Sequence, residues 1–592
     1  MCAIFGIIGS YDESIAKDDF MTLAHRGEDD SAFISNEKYF FGIHRLAITS
    51  LGKDIDQPFV DGKYIVVFNG EIYNYKELAR TLGIDKSSEV KVVLESYKIW
   101  GDSFVEHING MYAIAIYDGN VLKLFRDNVG KKPLFYSVKK DAFWFASEIK
   151  ALDSGSKIDK KAILPYLSFQ TTLSPNTFYS DIFLLPAGSY ATFKNGEITV
   201  KSHFSPLNNK IIYTNSKDAS NAVEGALKES VLRRIPASNI PWGALLSGGI
   251  DSSLVAAMAS EHQKIDTFCI GYEDKFASYD EREYANKVAK HIGSNHHEAV
   301  LTKEKFFDGI ASIEGFSEQP LADPAQIPLF VLLKEVKEYD KRVVLTGDGS
   351  DELFLGYKTY KEYYDIEQAS QLKYKNWLNG FLRSHYSPNK EWEWYKRIFG
   401  DSLLFRSTAE LFTDLQQNRL LKQNVKDDNS LHYLEPYWKE FVQSGRANSI
   451  DWYSFCDMKV KLGDLFLAKL DRVSMACGIE ARSPFLDPSV VNLAFSIDPE
   501  VRFGQTSKDL IKQIAYRYMP SDIVERKKRG FSYPYMEWLL EENELEVIRR
   551  VQRERKIFNN EALEFILSKA PSGGFKHHIF ALYMLCRWLD RN

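Results

Sequence analysis

Residues 245–253 read LLSGGIDSS: a short apolar run, a glycine turn, then a helical pattern that puts Leu254, Val255 and Met258 on its inner side. Gly248 and Gly249 allow the backbone to approach an anion closely. Ser247, Ser252, Ser253 and the helix N-terminus then supply donors to phosphate oxygens. Asp251 repels a bare phosphate, and a magnesium ion shared with the phosphates explains it best. No G-x-x-x-x-G-K-[ST] occurs in the chain, which excludes a standard P-loop. Ser247 follows Leu245-Leu246 and lacks the G-x-S context of a hydrolase elbow. The bland alternative is a Ser-Gly-Gly turn capped by Asp251.

Around this loop, residues 241–246 (PWGALL), 267–271 (TFCIG) and 342–346 (RVVLT) are short buried-strand candidates alternating with helical segments. That alternation predicts a parallel sheet covered by helices. Beyond Leu353 the chain reads as helical and aromatic-rich. The first 200 or so residues differ, with β-runs at 64–68, 113–117, 121–125 and 143–146 bounded by turns such as Asp61-Gly62, Asn69-Gly70 and Asp118-Gly119. One helix is expected from Ser88 as cap, with Val90, Val93, Leu94 and Tyr97 on one face. Residues 205–215 (SPLNNKIIYTN) read as a linker, so two domains are expected, at 1–205 and 215–592.

The bulk properties narrow the class. The 592 residues are 44% hydrophobic, 14% aromatic and 26% charged, the composition of a folded protein. A net charge of -6 with mixed signs argues against a general nucleic-acid binder. Cys2, Cys269, Cys456, Cys477 and Cys586 are scattered and odd in number, which fits neither a disulfide framework nor a zinc motif and suggests a reducing compartment. No basic leader precedes the first apolar run, and no apolar stretch approaches the roughly 20 residues that span a bilayer. A cytoplasmic enzyme with no membrane or nucleic-acid partner is the expectation.

Cys2 follows the initiator Met. Once Met1 is removed, thiol and α-amine share one residue, and an amine of pKa about 8 can take the thiol proton without a histidine. A cysteine at position 2 carries no meaning by itself, but its context does. The start CAIFGIIG, then HRGEDD (25–30), HRL (44–46), FNGEIYN (68–74), RDNVGKKPLFY (126–136), FASEIKAL (145–152) and LPAGSYATF (185–193) resemble the class II, N-terminal nucleophile glutaminase domain, in family order. The resemblance implies a β-rich αββα layered fold in which Cys2 attacks the glutamine amide. Asn69 and the Gly70 N–H would hold the oxyanion, Arg45 the α-carboxylate, and Glu71 with Glu89 the α-ammonium. The family commonly has Pro where this chain has Glu28, and Asp where it has Glu89.

The 245–253 loop resembles the PP-loop of synthetases that split ATP between its α and β phosphates, and more narrowly the asparagine synthetase domain. TFCIGYED (267–274), 278–298, QPLADPAQIP (319–328), VVLTGDGSDELFLGY (343–357), LDRVSMACGIEARSPFLD (470–487) and RKKRGFSYP (526–534) follow in family order. This implies an α/β domain of the adenine nucleotide alpha hydrolase type with a helical C-terminal part. ATP would lie against Leu246, Ser247, Gly248, Gly249, Asp251, Ser252, Ser253, Ile270, Thr346 and Gly347. Asp251 and Asp351 would share Mg²⁺, Lys528 would neutralise departing pyrophosphate, and Asp348 would serve acceptor or acid–base chemistry. Asp348 stands where many such enzymes carry Glu, and Leu355 replaces a frequent Gly.

Together the two sites imply that an acceptor carboxylate attacks ATP, giving an acyl-adenylate and pyrophosphate. Ammonia released from glutamine at Cys2 would then reach the adenylate inside the protein. The acceptor is expected to be aspartate, or alternatively a carboxylate such as a uronic-acid sugar of surface polysaccharide. A homodimer is compatible with these small-molecule partners. A catalytically silent scaffold and a PP-loop thiolation enzyme both fit less well.

Overall fold

The computed structural model describes residues 2–592 apart from 49–55, 85–87, 140–141, 154, 237–239, 274–275, 277–278, 386–388, 425–426, 428 and 527–532. The N-terminal half is organised by strand Cys2–Ile8. Its alternation sends Ala3, Phe5 and Ile7 into one core and Ile4 into another. The strand sits inside a six-stranded sheet, antiparallel to Tyr39–Arg45 and to Ala142–Ala146. A second six-stranded sheet pairs Tyr64–Ile72 with Gly110–Tyr117.

Ile4, Phe41 and Ile43 of the first sheet share a buried cluster with Ile65, Val67, Ala113 and Ala115 of the second, so the sheets pack face to face. Helices cover the outer faces. Glu13–Met21 packs Phe20 near Phe5, while Tyr75–Leu82 and Glu89–Trp100 pack Leu78, Val90 and Val93 onto Val66 and Phe68. The Ser88 hydroxyl caps the last helix by accepting the Lys91 N–H at 3.4 Å. This is the αββα layering that the motifs implied.

The C-terminal half holds five parallel strands in the order Asn295–Leu301, Asp266–Tyr272, Trp242–Leu245, Val343–Leu345 and Glu480–Arg482. From Trp242–Leu245 the chain steps outward twice on one side and then returns on the other. The reversal leaves a crevice at the carboxyl ends of Trp242–Leu245 and Val343–Leu345, where α/β proteins bind ligands. The two outermost strands, Asn295–Leu301 and Glu480–Arg482, are polar or very short, and pattern reading passed over them.

Helices dominate the rest, as expected. Helix Ser449–Asp457 runs into a nine-residue π-helix, Met458–Phe466, and on into helix Leu467–Ala476. The final helix, Lys576–Arg591, ties both halves together: Tyr166 donates to the Ala581 carbonyl at 2.9 Å and the Trp588 indole donates to the Glu318 carbonyl at 2.8 Å. Residues 205–215 are pinned, with the Ile212 and Tyr213 N–H groups bonded to the Ser496 carbonyl at 2.7 and 3.1 Å.

Candidate active sites

At the first site, strand register sets Cys2 opposite Arg45. The Cys2 nitrogen donates to Asn69 Oδ1 at 3.0 Å across the two sheets. Asn69 is fully buried, and its Nδ2 has no hydrogen-bond partner among the described residues. A buried donor left unpaired is costly, and here it belongs to the residue that holds the Cys2 nitrogen. Gly70 has φ +147°, and a Cβ there would sit 1.9 Å from the Met111 carbonyl oxygen, so no larger residue fits. Burial raises the Cys2 thiol above its ordinary value, so the nucleophile needs a base to take its proton.

Glu71 and Glu89 lie close enough for their charges to interact. Burial, then the neighbouring Glu71, raises the Glu89 carboxyl well above the usual carboxylate range. Its Oε1 is buried without a hydrogen-bond partner among the described residues. A cation delivered by a ligand would satisfy both features. Arg482, from the far half of the chain, approaches Glu71 at 3.5 Å.

That contact belongs to a polar seam between the halves. Arg26 donates to Glu148 at 2.9 Å and to Asp471 at 2.8 Å, and Lys132 donates to the other Asp471 oxygen at 3.2 Å. Asp29 takes a forked pair of bonds from Arg342 at 2.6 and 3.1 Å, and Glu28 lies 3.6 Å from Lys337. The departure at Glu28 thus sits at the junction, bridged through its backbone to Arg45, which lies opposite Cys2. Beside the seam, Met111 and Met475 form a small buried cluster with Tyr73.

The second site is a cavity of about 980 Å³ at the sheet's reversal point. Leu246, Ser247, Gly249, Asp251, Ser252, Ile270, Thr346, Gly347, Asp348 and Asp351 all line it, as the motifs implied. Ser247 and Ser252 hydroxyls lie 3.0 Å apart, and the Gly249 N–H donates to Ser247 at 3.2 Å. Gly248 has φ +69°, with the Tyr284 and Ala285 backbone too close for any Cβ. Gly248 and Ser253 are not among the lining residues, and Ser253 is fully buried in helix Ile250–Ser260. Lys528 lies outside the described residues.

Sequence reasoning missed Lys508. Its ammonium stands between the two acids, bonded to Asp251 and, at 2.7 Å, to Asp351. Burial works against its charge, but Asp251 and then Asp351 outweigh it and raise the Lys508 pKa. Asp251 Oδ1 is buried without a hydrogen-bond partner among the described residues. Two carboxylates converging with a spare oxygen are a donor set suited to a hard divalent cation. Gly356 makes room for the arrangement, since a Cβ there would fall 1.9 Å from Asp351 Oδ1 and 2.1 Å from Lys508 Cε. Leu355 beside it takes φ +53°, the conformation for which the family's glycine is suited.

Gln170 was also unforeseen. It belongs to the N-terminal half yet lines this cavity, bonded through its side chain to the Ala409 carbonyl at 3.0 Å.

Comparison with known proteins agrees with both halves. Residues 222–590 match the family model described as asparagine synthase, and residues 1–204 match the glutamine amidotransferase domain. The chain is 30% identical over 617 residues to asparagine synthetase [glutamine-hydrolyzing] 1 of Bacillus subtilis (strain 168), covering 99% of this chain and 93% of that one. It is 26% identical to asparagine synthetase [glutamine-hydrolyzing] 3 of the same organism, over 90% of this chain and 87% of that one. It is also 26% identical to the asparagine synthetase [glutamine-hydrolyzing] of Asparagus officinalis, over 90% of this chain and 77% of that one.

Proposed function

Because the chain belongs to the asparagine synthase family, we propose that it converts ATP, aspartate, glutamine and water to asparagine, glutamate, AMP and pyrophosphate. The observation that carries this is the pairing, in one chain, of a buried Cys2–Asn69 nucleophile site with a PP-loop cavity that reaches the N-terminal half through Gln170.

After loss of Met1, the Cys2 amine would take the thiol proton, and the thiolate would attack the glutamine amide. Asn69 Nδ2 and the Gly70 N–H receive the oxyanion, where fixed donors contribute several kcal/mol. Arg45 binds the α-carboxylate, and Glu71 and Glu89 bind the ammonium. Ammonia leaves, and water hydrolyses the thioester to glutamate.

In the second cavity Ser247, Gly249 and Ser252 cradle the phosphates beside the helix N-terminus. Mg²⁺, held by Asp251 and Asp351, would supply charge neutralisation to the phosphate oxygens. Lys508 holds the same two acids together and adds a compact cation where pyrophosphate departs. Lys528 is proposed as a second such cation, and Asp348 as the group facing the acceptor.

Helix Leu467–Ala476 supports an internal route for ammonia. Met475 reaches the apolar cluster behind Gly70, Asp471 holds Arg26, and Lys469 and Leu470 line the ATP cavity. A helix of that length extends about 15 Å. An apolar passage along it would keep ammonia unprotonated.

A cytoplasmic location is part of the proposal, supported by five unpaired cysteines; among the described residues no helix is long and apolar enough to cross a membrane. The test is a mass-spectrometric assay with glutamine, Mg-ATP and a panel of acceptor acids. Asparagine, glutamate and AMP should appear together with aspartate. Turnover with a uronic acid and none with aspartate would refute the assignment.

A further inference from the structure

At the rim of the synthetase cavity, strand register gathers a cysteine, a histidine and a glutamate on one face of the parallel sheet. Strand Asp266–Tyr272 pairs with Asn295–Leu301 so that Thr267 stands beside His296 and Cys269 beside Glu298. Alternate residues of a strand share a face, so these four side chains project on the same side. One ligand atom each from Cys269, His296 and Glu298 lies within 4.8 Å of the other two. Cys269 is buried and lines the cavity next to Ile270. No motif announces the group, because the cysteine and the histidine are 27 residues apart and meet only through the sheet.

The donors are oriented for ligation. The Cys269 sulfur lies 3.3 Å from His296 Nε2, and His296 Nδ1 lies 2.9 Å from the Thr267 hydroxyl. With the ring proton on Nδ1 and directed at Thr267, Nε2 keeps a lone pair, to which the thiol donates. An oxygen partner on the far ring nitrogen is also what orients metal-binding histidines. Glu298 is exposed; one of its oxygens accepts from Asn286, and the other lies 3.4 Å from Arg282. Arg282 is held more closely by Asp280, at 2.7 and 2.8 Å, and by the Tyr272 carbonyl at 3.0 Å. Glu298 can therefore turn to the sulfur and nitrogen without stranding the guanidinium.

We propose that Cys269, His296 and Glu298 bind a zinc-class divalent ion on the wall of the synthetase cavity. One thiolate, one imidazole and one carboxylate suit Zn²⁺, whereas Mg²⁺ takes oxygen ligands and fits Asp251 with Asp351. Burial holds the Cys269 thiol protonated, with its pKa pushed up to about 12, so the ion itself must drive off that proton. Zn²⁺ replaces the proton on sulfur, the proton leaves to solvent, and Nε2 and one Glu298 oxygen complete three protein ligands. A fourth position stays open for water or for a group inside the cavity. The site stands whichever acceptor the enzyme uses.

The experiment titrates Co²⁺, a spectroscopic stand-in for Zn²⁺, into the full chain carrying Cys2→Ala, with excess Mg²⁺ to fill the oxygen sites. A thiolate-to-cobalt charge-transfer band should appear in the near ultraviolet and vanish as Zn²⁺ displaces the cobalt. Adding Cys269→Ser should remove the band. Its absence from the Cys2→Ala chain overturns the proposal. So does a band of equal strength after Cys269→Ser, which would assign the cobalt to another thiol. Should Cys269→Ser melt early, Glu298→Gln at the surface provides the second reading, by competition with a chromophoric chelator. Zn²⁺ should then bind about tenfold or more weaker, and a change below about twofold counts against the site.

Discussion

Arg26 of the N-terminal half donates to Asp471 of the C-terminal half at 2.8 Å, with both side chains almost fully shielded from water. The pair joins residues 445 apart in sequence and lies on the helix that also lines the ATP cavity. Removing Asp471 leaves Arg26 its bond to Glu148 but takes away the carboxylate to which the buried Lys132 ammonium donates. Asp471→Ala should therefore lower the unfolding free energy by about 3 kcal/mol, read as a shift in urea midpoint. It should also raise the ratio of glutamate to asparagine formed, as ammonia escapes the loosened junction.

Cys2→Ala removes the nucleophile without disturbing Asn69 or the nucleotide cavity. Glutamine consumption should fall to background, while asparagine formation with added ammonium salts continues. Loss of both activities in a folded variant would contradict the division between the sites. N-terminal sequencing of the parent checks the companion expectation, that the mature chain begins at Cys2.

Gly356→Ala tests the packing beside the metal-side acids. The new methyl would fall 1.9 Å from Asp351 Oδ1 and 2.1 Å from Lys508 Cε, so one or both must move. A displacement of about 1 Å at such a site costs roughly a hundredfold in rate. AMP formation should fall by that order, with glutamine hydrolysis measured alongside as the readout of the distant site.

Burial, reinforced by Lys390, lowers the pKa of His578 from 6.5 to about 3. A depressed pKa means that the folded chain binds fewer protons than the unfolded chain between those two values. The stability it supplies is thus present above pH 6.5 and lost as pH falls through about 3. His578→Leu should flatten that part of the profile. Urea midpoints at several pH values across this window would read it, with the variant gaining on the parent as acid increases.

Leu355 illustrates how opposing magnitudes settle a residue choice. Its left-handed backbone costs roughly 1–2 kcal/mol, but the side chain is 2% exposed and a large-to-small change in a core costs about 2–5 kcal/mol. Leu355→Gly should therefore destabilise the protein, measured as a lower melting temperature, even though glycine suits the turn.

What the sequence revealed was local. The 245–253 loop, the Asn69-Gly70 pair and the Ser88 cap are each encoded by neighbouring residues; in the structure the loop lines the cavity, Asn69 accepts from the Cys2 nitrogen and Ser88 accepts from Lys91. Lys508 was hidden because its partner Asp251 is 257 residues away, and Ser-Lys-Asp reads as an ordinary helix start. The π-helix escaped because its apolar spacing, broken by Lys459, Lys461 and Asp464, mimics an amphipathic α-helix. Ser253 shows what a motif leaves unsaid: it is fully buried, sharing the covered face of its helix with Leu254 and Val255. Short polar strands such as Glu480–Arg482 carry no hydrophobic signal, and only the neighbouring strand makes them strands.

Gln170 gives the molecule a property that neither half has separately. Its carbonyl accepts from Ala322 at 2.9 Å and its amide donates to Ala409, so one residue of the N-terminal half completes the wall of the cavity in the C-terminal half. Exchanging either half for that of a distant homologue would leave this wall with an ill-fitting stone. Chimeras of such enzymes should consequently lose synthesis more readily than glutamine hydrolysis, and engineers would do well to carry residue 170 with the acceptor side, whatever boundary the chain itself suggests.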